Sequence, residues 1–194
     1  MNEGLIARRY ASAMLKVAEE RRAAGEVYER MKRFEENYVS HPDLHKALVN
    51  PLVPARDKEA LVALAAGVEG GELFMRGVRL LLRNHREMYI RSIGLMYQQL
   101  YRKAHGIGRV RIISVAPLDA GTLQRVKKLV LGSGYREVEL LEETDLSLIG
   151  GFVVQIDSHR LDCSVRGELR RLAEELDLND NHKKQIDHDD IETE

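Results

Sequence analysis

Apolar positions in the first hundred residues recur every three or four places. Ile6, Tyr10, Met14 (or Ala13) and Val17 make one stripe, and Val27, Met31, Phe34 and Tyr38 a second. Set among charges, that spacing puts one apolar face on each of two helices. Gly25 lies between the stripes and is expected to break them. Ser40-His41-Pro42-Asp43 reads as a helix start, with Ser40 as the cap, Pro42 in the first turn and Asp43 at the positive end of the helix dipole. That short helix ends before Asn50-Pro51. Pro54 opens a fourth, carrying Leu61, Leu64 and Ala65 and closed by the Gly67 to Gly71 region. A fifth carries Phe74, Val78 and Leu81. Asn84 interrupts, and a sixth carries Tyr89, Ile93, Met96 (or Tyr97) and Leu100, ending near Gly106 and Gly108. Residues 1–105 are thus expected to form a six-helix bundle.

The period changes after Gly108. Val110, Ile112 and Ser114 alternate with Arg111, Ile113 and Val115, the pattern of a largely covered strand, which Pro117 stops. Asp119 starts a helix bearing Leu123, Val126 and Val130 (or Leu129), and Gly132-Ser133-Gly134 ends it. Tyr135 to Leu141 reads as a second strand and Leu148 to Ile156 as a third. Ser164 caps a last helix with Val165, Leu169, Leu172 and Leu176 on one face. Residues 109–178 therefore read as a small α/β domain, and the fold class as α+β with two domains. If its first two strands are parallel, the crossover between them is right-handed. Residues 179–194 are polar and acidic and are expected to form a flexible tail, with too little apolar surface to offset ordering entropy. There is no internal repeat.

Composition narrows the function. The 194 residues are 44% hydrophobic and 31% charged, with a formal net charge of −1, so the chain as a whole exerts no long-range pull on nucleic acid or anionic lipid. Cys163 is the one cysteine and excludes an internal disulfide. The start, Met1-Asn2-Glu3-Gly4-Leu5-Ile6, is unlike a secretory signal. Every apolar run is cut by charge well short of the ~20 residues that span a bilayer, so no direct membrane insertion is expected.

Candidate chemistry is sparse. His41 and His45 are four apart, a zinc-like spacing, but Pro42 places His41 at a helix start and no third ligand is near in sequence; solvated histidines are the plainer reading. Cys163 sits at a helix entrance beside Asp162, which opposes a thiolate, so it reads as structural. Gly132-Ser133-Gly134 follows a helix and lacks the strand context of a dinucleotide loop. Gly150-Gly151 reads as a bulge or a close backbone contact, favouring a neighbouring element of the same chain. Asp157 and Asp162 flank what reads as a polar turn. Arg76, Arg79, Arg83 and Arg86 would align on one continuous helix, either as a solvated face or as a strip for an acidic partner. An RNA-binding module on that strip lacks aromatic platforms, and an enzyme of the α/β half lacks convergent polar groups.

Five strings carry a resemblance. They are Ala7-Arg8-Arg9-Tyr10-Ala11-Ser12-Ala13-Met14; Asn50-Pro51-Leu52-Val53-Pro54 with Lys58; Leu82-Arg83-Asn84-His85-Arg86; Asp145-Leu146-Ser147-Leu148-Ile149-Gly150-Gly151-Phe152; and Asp162-Cys163-Ser164-Val165-Arg166 with Leu169 and Leu172. Their order over Ala7 to Leu176 resembles the delta subunits of F-type ATP synthases, the family of the mitochondrial oligomycin-sensitivity-conferring subunit. The resemblance implies a non-catalytic stator that links the catalytic head to the peripheral stalk and resists rotor torque during proton-driven ATP synthesis. It implies no catalytic residue, metal, cofactor or nucleic acid. Its implied partners are the N-terminal helix of an alpha subunit, received by the first and fifth helices, and the C-terminal end of the b-subunit stalk. On this sequence those contacts fall on Ile6, Tyr10, Met14 and Val17 with Phe74, Val78 and Leu81, and on Gly150, Gly151 and Phe152 for the stalk. The absence of an Arg- and Ser-rich extension favours a bacterial or processed form, at the cytoplasmic face of the inner membrane.

Overall fold

The computed structural model describes residues 3–68, 72–156 and 159–173; the expected acidic tail and Leu176 lie outside them. The chain divides into two units, Met1–His105 and Gly106–Glu194. In the first, α1 (Glu3–Glu20), α2 (Ala24–Ser40), α3 (Pro42–Val49), α4 (Ala55–Ala65), α5 (Glu72–Arg83) and α6 (Ile90–His105) follow in order, with a 3-10 turn, Glu87–Tyr89, before α6. The second contains β1 (Ile107–Ser114), α7 (Ala120–Gly132), β2 (Glu137–Thr144), β3 (Gly151–Ile156) and β4 (His159–Ser164). Residues 165–173 are helical.

The helical unit closes on one core. Ala7, Ala11, Leu15 and Ala18 of α1 pack with Val27, Tyr28, Met31 and Phe34 of α2, and with Ile90, Ile93 and Tyr97 of α6. Small residues on α1 let it approach its neighbours closely, and the bulk comes from α2, α5 and α6. Tyr97 fills the centre: it is fully buried and its hydroxyl donates to the Ala24 carbonyl at 3.0 Å. Burial, then the fields of Tyr101 and Glu19, push its ionisation far above the ordinary phenol value, so it acts only as a neutral donor. Tyr97→Phe removes that donor while keeping the ring. It is expected to cost about 1 kcal/mol, read as a lower denaturant midpoint of the helical unit.

Several local expectations are corrected. The break between α1 and α2 falls at Arg21 to Ala23, where Arg22 takes a left-handed φ of 55°. Gly25 instead sits in the first turn of α2, close to the Tyr101 hydroxyl. Ser40 does not cap α3. Its hydroxyl bonds back to Glu36 O at 2.9 Å, so α2 runs on through it and His41 takes the cap position. On α4 the buried face is Lys58, Val62 and Ala65, and Leu64 points outward, 80% exposed. On α6 the choice between Met96 and Tyr97 is settled for Tyr97.

The sheet order is β2-β1-β3-β4, with β1 and β2 parallel and the other pairs antiparallel. The parallel pair is joined through α7, which Asp119 caps by accepting from Thr122 N at 3.0 Å. Val110, Ile112, Val138 and Val154 on the sheet meet Val130 on α7. Two strand expectations change. β3 starts only at Gly151, because Asp145 folds residues 145–148 into a turn, its carboxylate taking Ser147 N at 2.8 Å. The stretch read as a polar turn around Arg160 is the edge strand β4. An edge strand faces water along much of its length, so its sequence carries no apolar alternation to announce it.

Candidate functional site: the seam between the first and fifth helices

Two of the short sequence strings build the ends of one surface seam. Leu82 to Arg86 ends α5 in a left-handed turn: His85 has φ 51°, His85 N bonds Leu82 O at 3.1 Å and Arg86 N bonds Leu81 O at 2.9 Å. This closes the free carbonyls of the helix end and turns Arg86 back towards α1. There its Nη1 donates to the Tyr10 hydroxyl at 2.8 Å, and its guanidinium lies 5.3 Å from the ring centroid. Asn84 Nδ2 donates to the same hydroxyl at 3.2 Å. Tyr10 is therefore held at one end of the seam by a charge-assisted bond and a cation–π contact.

One helical turn further along α1, Met14 lies against Gly77 of α5, where any β-carbon would overlap its thioether end. Tyr10 against Asn84 and Met14 against Gly77 fix α1 and α5 as antiparallel neighbours. The outward edge of α1 then carries half-buried Ile6, Tyr10 and Met14, with Val17 38% exposed. The facing edge of α5 carries half-buried Leu73 and Gly77, with Leu80 47% exposed. Glycine at 77 makes room for the Met14 thioether, which fills that point of the seam, while Ile6, Val17, Leu73 and Leu80 beside it stay partly uncovered and form a shallow apolar strip.

The structure turns Phe74, Val78 and Leu81 the other way. They are 1%, 2% and 2% exposed, inside the core of the helical unit. All three lie on the inward side of α5, and a guest helix reaches them only if the helical unit opens. The aspartate substitutions Phe74→Asp and Val78→Asp would bury a charge and test folding rather than docking. The periodicity that found this stripe marks the face of greatest apolar density, and that face belongs to the core. The true edge, Leu73, Gly77 and Leu80, contains a glycine and so lacks an unbroken apolar signal.

The aligned arginine strip is also broken up. Arg79 Nε bonds Glu59 Oε1 on α4 at 2.7 Å, and Arg86 lies beyond the end of α5 against Tyr10. Arg76 and Arg83 remain exposed together on one side of α5. The histidine pair does not converge on a metal. The His41 ring bonds Asn37 O, the His45 ring bonds the Tyr38 hydroxyl, and no group of three potential ligands occurs among the described residues.

Lys58 gave sequence reading no role beyond its place in a motif. Asn50 takes Leu52 N on its side chain at 2.9 Å, Pro54 starts α4, and the next turn carries Lys58 inward. Lys58 is 3% exposed, and its ammonium meets Glu87 Oε1 in the 3-10 turn at 2.7 Å. Burial alone would raise the Glu87 pKa, but the hydrogen bond and charge of Lys58, with His85 adding, hold it below the ordinary carboxylate value. A lysine four places after a helix-opening proline was the available signal.

In the α/β unit, Gly151 has φ 75°, and a β-carbon there would overlap the Cys163 carbonyl and crowd Ser164 Cα. Its close contact is with β4 of its own chain. Phe152 is half-buried in the sheet core. Ser164 caps residues 165–173, accepting from Gly167 N at 3.1 Å, and Asp162 in turn accepts from Ser164 N and Oγ. Those bonds hold the Asp162 carboxyl below its ordinary pKa. The expected apolar face of this helix is outward: Val165, Leu169 and Leu172 are 40%, 55% and 50% exposed, near exposed Ile149.

A helical unit with an apolar furrow and an α/β unit with an outward apolar helix face define a docking protein, one that joins other chains. Residues 6–176 match the family model for the ATP synthase delta (OSCP) subunit. The chain is 34% identical over 178 residues to the ATP synthase subunit delta of Bacteroides thetaiotaomicron, covering 91% of this chain and 96% of that one. It is 32% identical over 170 residues to the subunit delta of Nostoc punctiforme, covering 87% and 92%. Its fold matches a chain in the cryo-EM structure of the Toxoplasma gondii mitochondrial ATP synthase hexamer with a TM-score of 0.70, at 20% identity over 91% of this chain and 97% of that one. The chain belongs to the ATP synthase delta (OSCP) family. It is a non-catalytic structural subunit, part of the peripheral stalk that holds the head of the complex against rotor torque. No helix among the described residues is long and apolar enough to cross a membrane.

Proposed function

We propose that the helical unit acts as a six-helix bundle that receives the N-terminal helix of an alpha subunit in the α1/α5 furrow. The contacts are Ile6, Tyr10, Met14 and Val17 on α1, and Leu73, Gly77 and Leu80 on α5 in place of Phe74, Val78 and Leu81. The observation that supports this reading is the furrow itself: apolar side chains left half-covered on two antiparallel helices, on either side of the point where Met14 seats on Gly77. An amphipathic helix laid there would bury them, the usual helix-in-groove mode. The α/β unit is proposed to meet the C-terminal end of the b subunit, through Val165, Leu169, Leu172 and Ile149 beside the Gly150-Gly151-Phe152 corner. Two such contacts on one chain give strength by multivalency without chemistry. In a bacterial cell the complex would place this chain at the cytoplasmic face of the inner membrane.

Titration calorimetry of the full chain with a peptide copying the alpha-subunit N-terminus tests the first contact. Saturable binding is expected, and Leu80→Asp, a change at an exposed position, is expected to weaken it at least tenfold while leaving the melting transition in place. Absence of binding by the unaltered chain, or a Leu80→Asp chain that binds as well, refutes the furrow assignment.

A further inference from the structure

In the α/β unit, α7 meets the sheet through Leu123, Val126 and Val130. Arg125 and Lys128 are exposed on its outer side, with half-buried Lys127 beside them. Leu129 and Leu131 lie among these cations, 64% and 38% exposed. The helix carries no acidic residue over Ala120–Gly132. None of the three cations makes an ion pair or a hydrogen bond among the described residues. The acids of the unit are held elsewhere: Asp119 by Thr122, Glu143 by Arg111, Asp145 by Ser147 and Asp162 by Ser164. Glu137 and Glu139 alternate with Val138, so they lie on the face of β2 turned away from α7. Glu168 sits among Arg166, Arg170 and Arg171. Glu142 shares the α7 side of β2 without pairing, and Asp157 lies outside the described residues. Those two acids leave part of the positive charge unmatched and both leucines bare.

The chain itself supplies a complement. Ile186-Asp187-His188-Asp189-Asp190-Ile191-Glu192-Thr193-Glu194 holds five acids, no Lys or Arg, and two isoleucines five residues apart. The family match stops at residue 176, so the shared docking role does not account for this segment. Thirteen residues separate Ala173, the last one described, from Ile186. They reach up to ~40 Å, against a radius of roughly 11 Å for a unit of this size. We propose that Ile186 to Glu194 docks in cis on the outer face of α7, its carboxylates against Arg125, Lys127 and Lys128 and its isoleucines on Leu129 and Leu131. The arginines of residues 165–173 are poorer hosts: Arg171 already donates to the Asp162 and Gly167 carbonyls, and Arg170 has a partner. A single exposed ion pair is weak. Tethering raises the local concentration of the segment to the millimolar range, so several weak contacts together hold it. The docked segment covers the two leucines and closes α7 to other acidic chains until it is displaced.

A nitroxide attached at position 188 of the full-length His188→Cys/Cys163→Ser chain tests this by NMR; Cys163 is exposed, so its replacement leaves the core alone. At low salt the amide signals of Lys127, Lys128 and Leu129 are expected to lose more intensity than any others of the α/β unit. The loss is expected to reverse in about 0.5 M salt. Arg125→Glu/Lys128→Glu, at exposed positions, and Asp187→Asn/Asp189→Asn/Asp190→Asn in the segment are each expected to abolish it, with the Val110 and Val154 signals in place to show an intact sheet. A uniform loss over the unit, or one centred on another element, overturns the proposal. So does a loss that persists in both charge variants. When the nitroxide chain is mixed with isotope-labelled chain lacking the nitroxide, a loss at α7 of the latter would assign the face to a second copy's segment and overturn docking in cis.

Discussion

Lys58→Met is expected to destabilise the helical unit by about 3 kcal/mol, the scale seen when one partner of a buried ion pair is removed. Glu87 would lose its bond from the ammonium, and its other carboxylate oxygen, Oε2, already lies buried without a partner. The carboxylate would keep only the bond from its own backbone N–H. The pair also ties α4 to the turn that leads into α6, so its loss loosens the approach of α5 to its neighbours. Thermal or denaturant melting of the full chain, with amide exchange at Ile93 and Tyr97 reporting the helical unit, measures the effect. The double variant Lys58→Met/Glu87→Gln should recover much of the loss, because a neutral amide is cheaper to bury than a lone carboxylate. A Lys58→Met chain as stable as the unaltered one would show that Glu87 reaches water or another donor.

The same pair gives a signed dependence on pH. The folded carboxyl of Glu87 lies below its ordinary value of 4.5. A depressed folded pKa contributes stability above the unfolded value and loses it as pH falls through the folded one. In the unaltered chain this part of the stability is therefore complete at neutral pH and disappears below 4.5. In Lys58→Met the counter-charge is gone and burial favours the protonated acid, so acid stabilises the variant. The gap between the two chains is expected to narrow as pH falls from 7 towards 4. A gap that stays constant over that range would exclude Glu87 as its source.

Gly151→Ala is expected to cost the α/β unit about 3 kcal/mol or more. A non-glycine residue at φ 75° pays a backbone penalty of about 1–2 kcal/mol. The added methyl also meets the Cys163 carbonyl, which is backbone and cannot swing aside. Relief requires β3 to separate from β4, where Gly151 pairs with Ser164 and Val165 N bonds Gly150 O at 3.0 Å. Amide protection at Val153 and Val154 should fall while that at Ile93 and Tyr97 is unchanged, a contrast that a general loss of stability would not produce. Gly77→Ala is the control. Its methyl meets only the end of the flexible Met14 side chain, so folding should be nearly unaffected.

The resemblance strings owe their spacing to contacts that sequence alone does not display. Asn50, Pro54 and Lys58 form a turn, a helix start and a buried cation. Asn84, His85 and Arg86 form a helix stop that delivers a guanidinium to Tyr10. Asp162 and Ser164 form a capping pair that aims the closing helix. Each string could be recognised as a motif, but its purpose depends on a residue from another element: Glu87 for the first, Tyr10 for the second, Gly167 for the third.

The order of elements up to β3, the change from a helical to a strand-like period after Gly108, and the caps at Asp119 and Ser164 were settled by local chemistry, since spacing, proline and capping side chains act within a few residues. The inward placement of Phe74, Val78 and Leu81, the outward placement of Leu64 and Leu80, and the edge position of β4 were settled only by packing. An apolar side chain looks the same in sequence whether a core or a partner covers it. The choice is made by which elements pack together, and here Met14 of α1 seats on Gly77 while Val17 and Leu80 beside that contact are left uncovered.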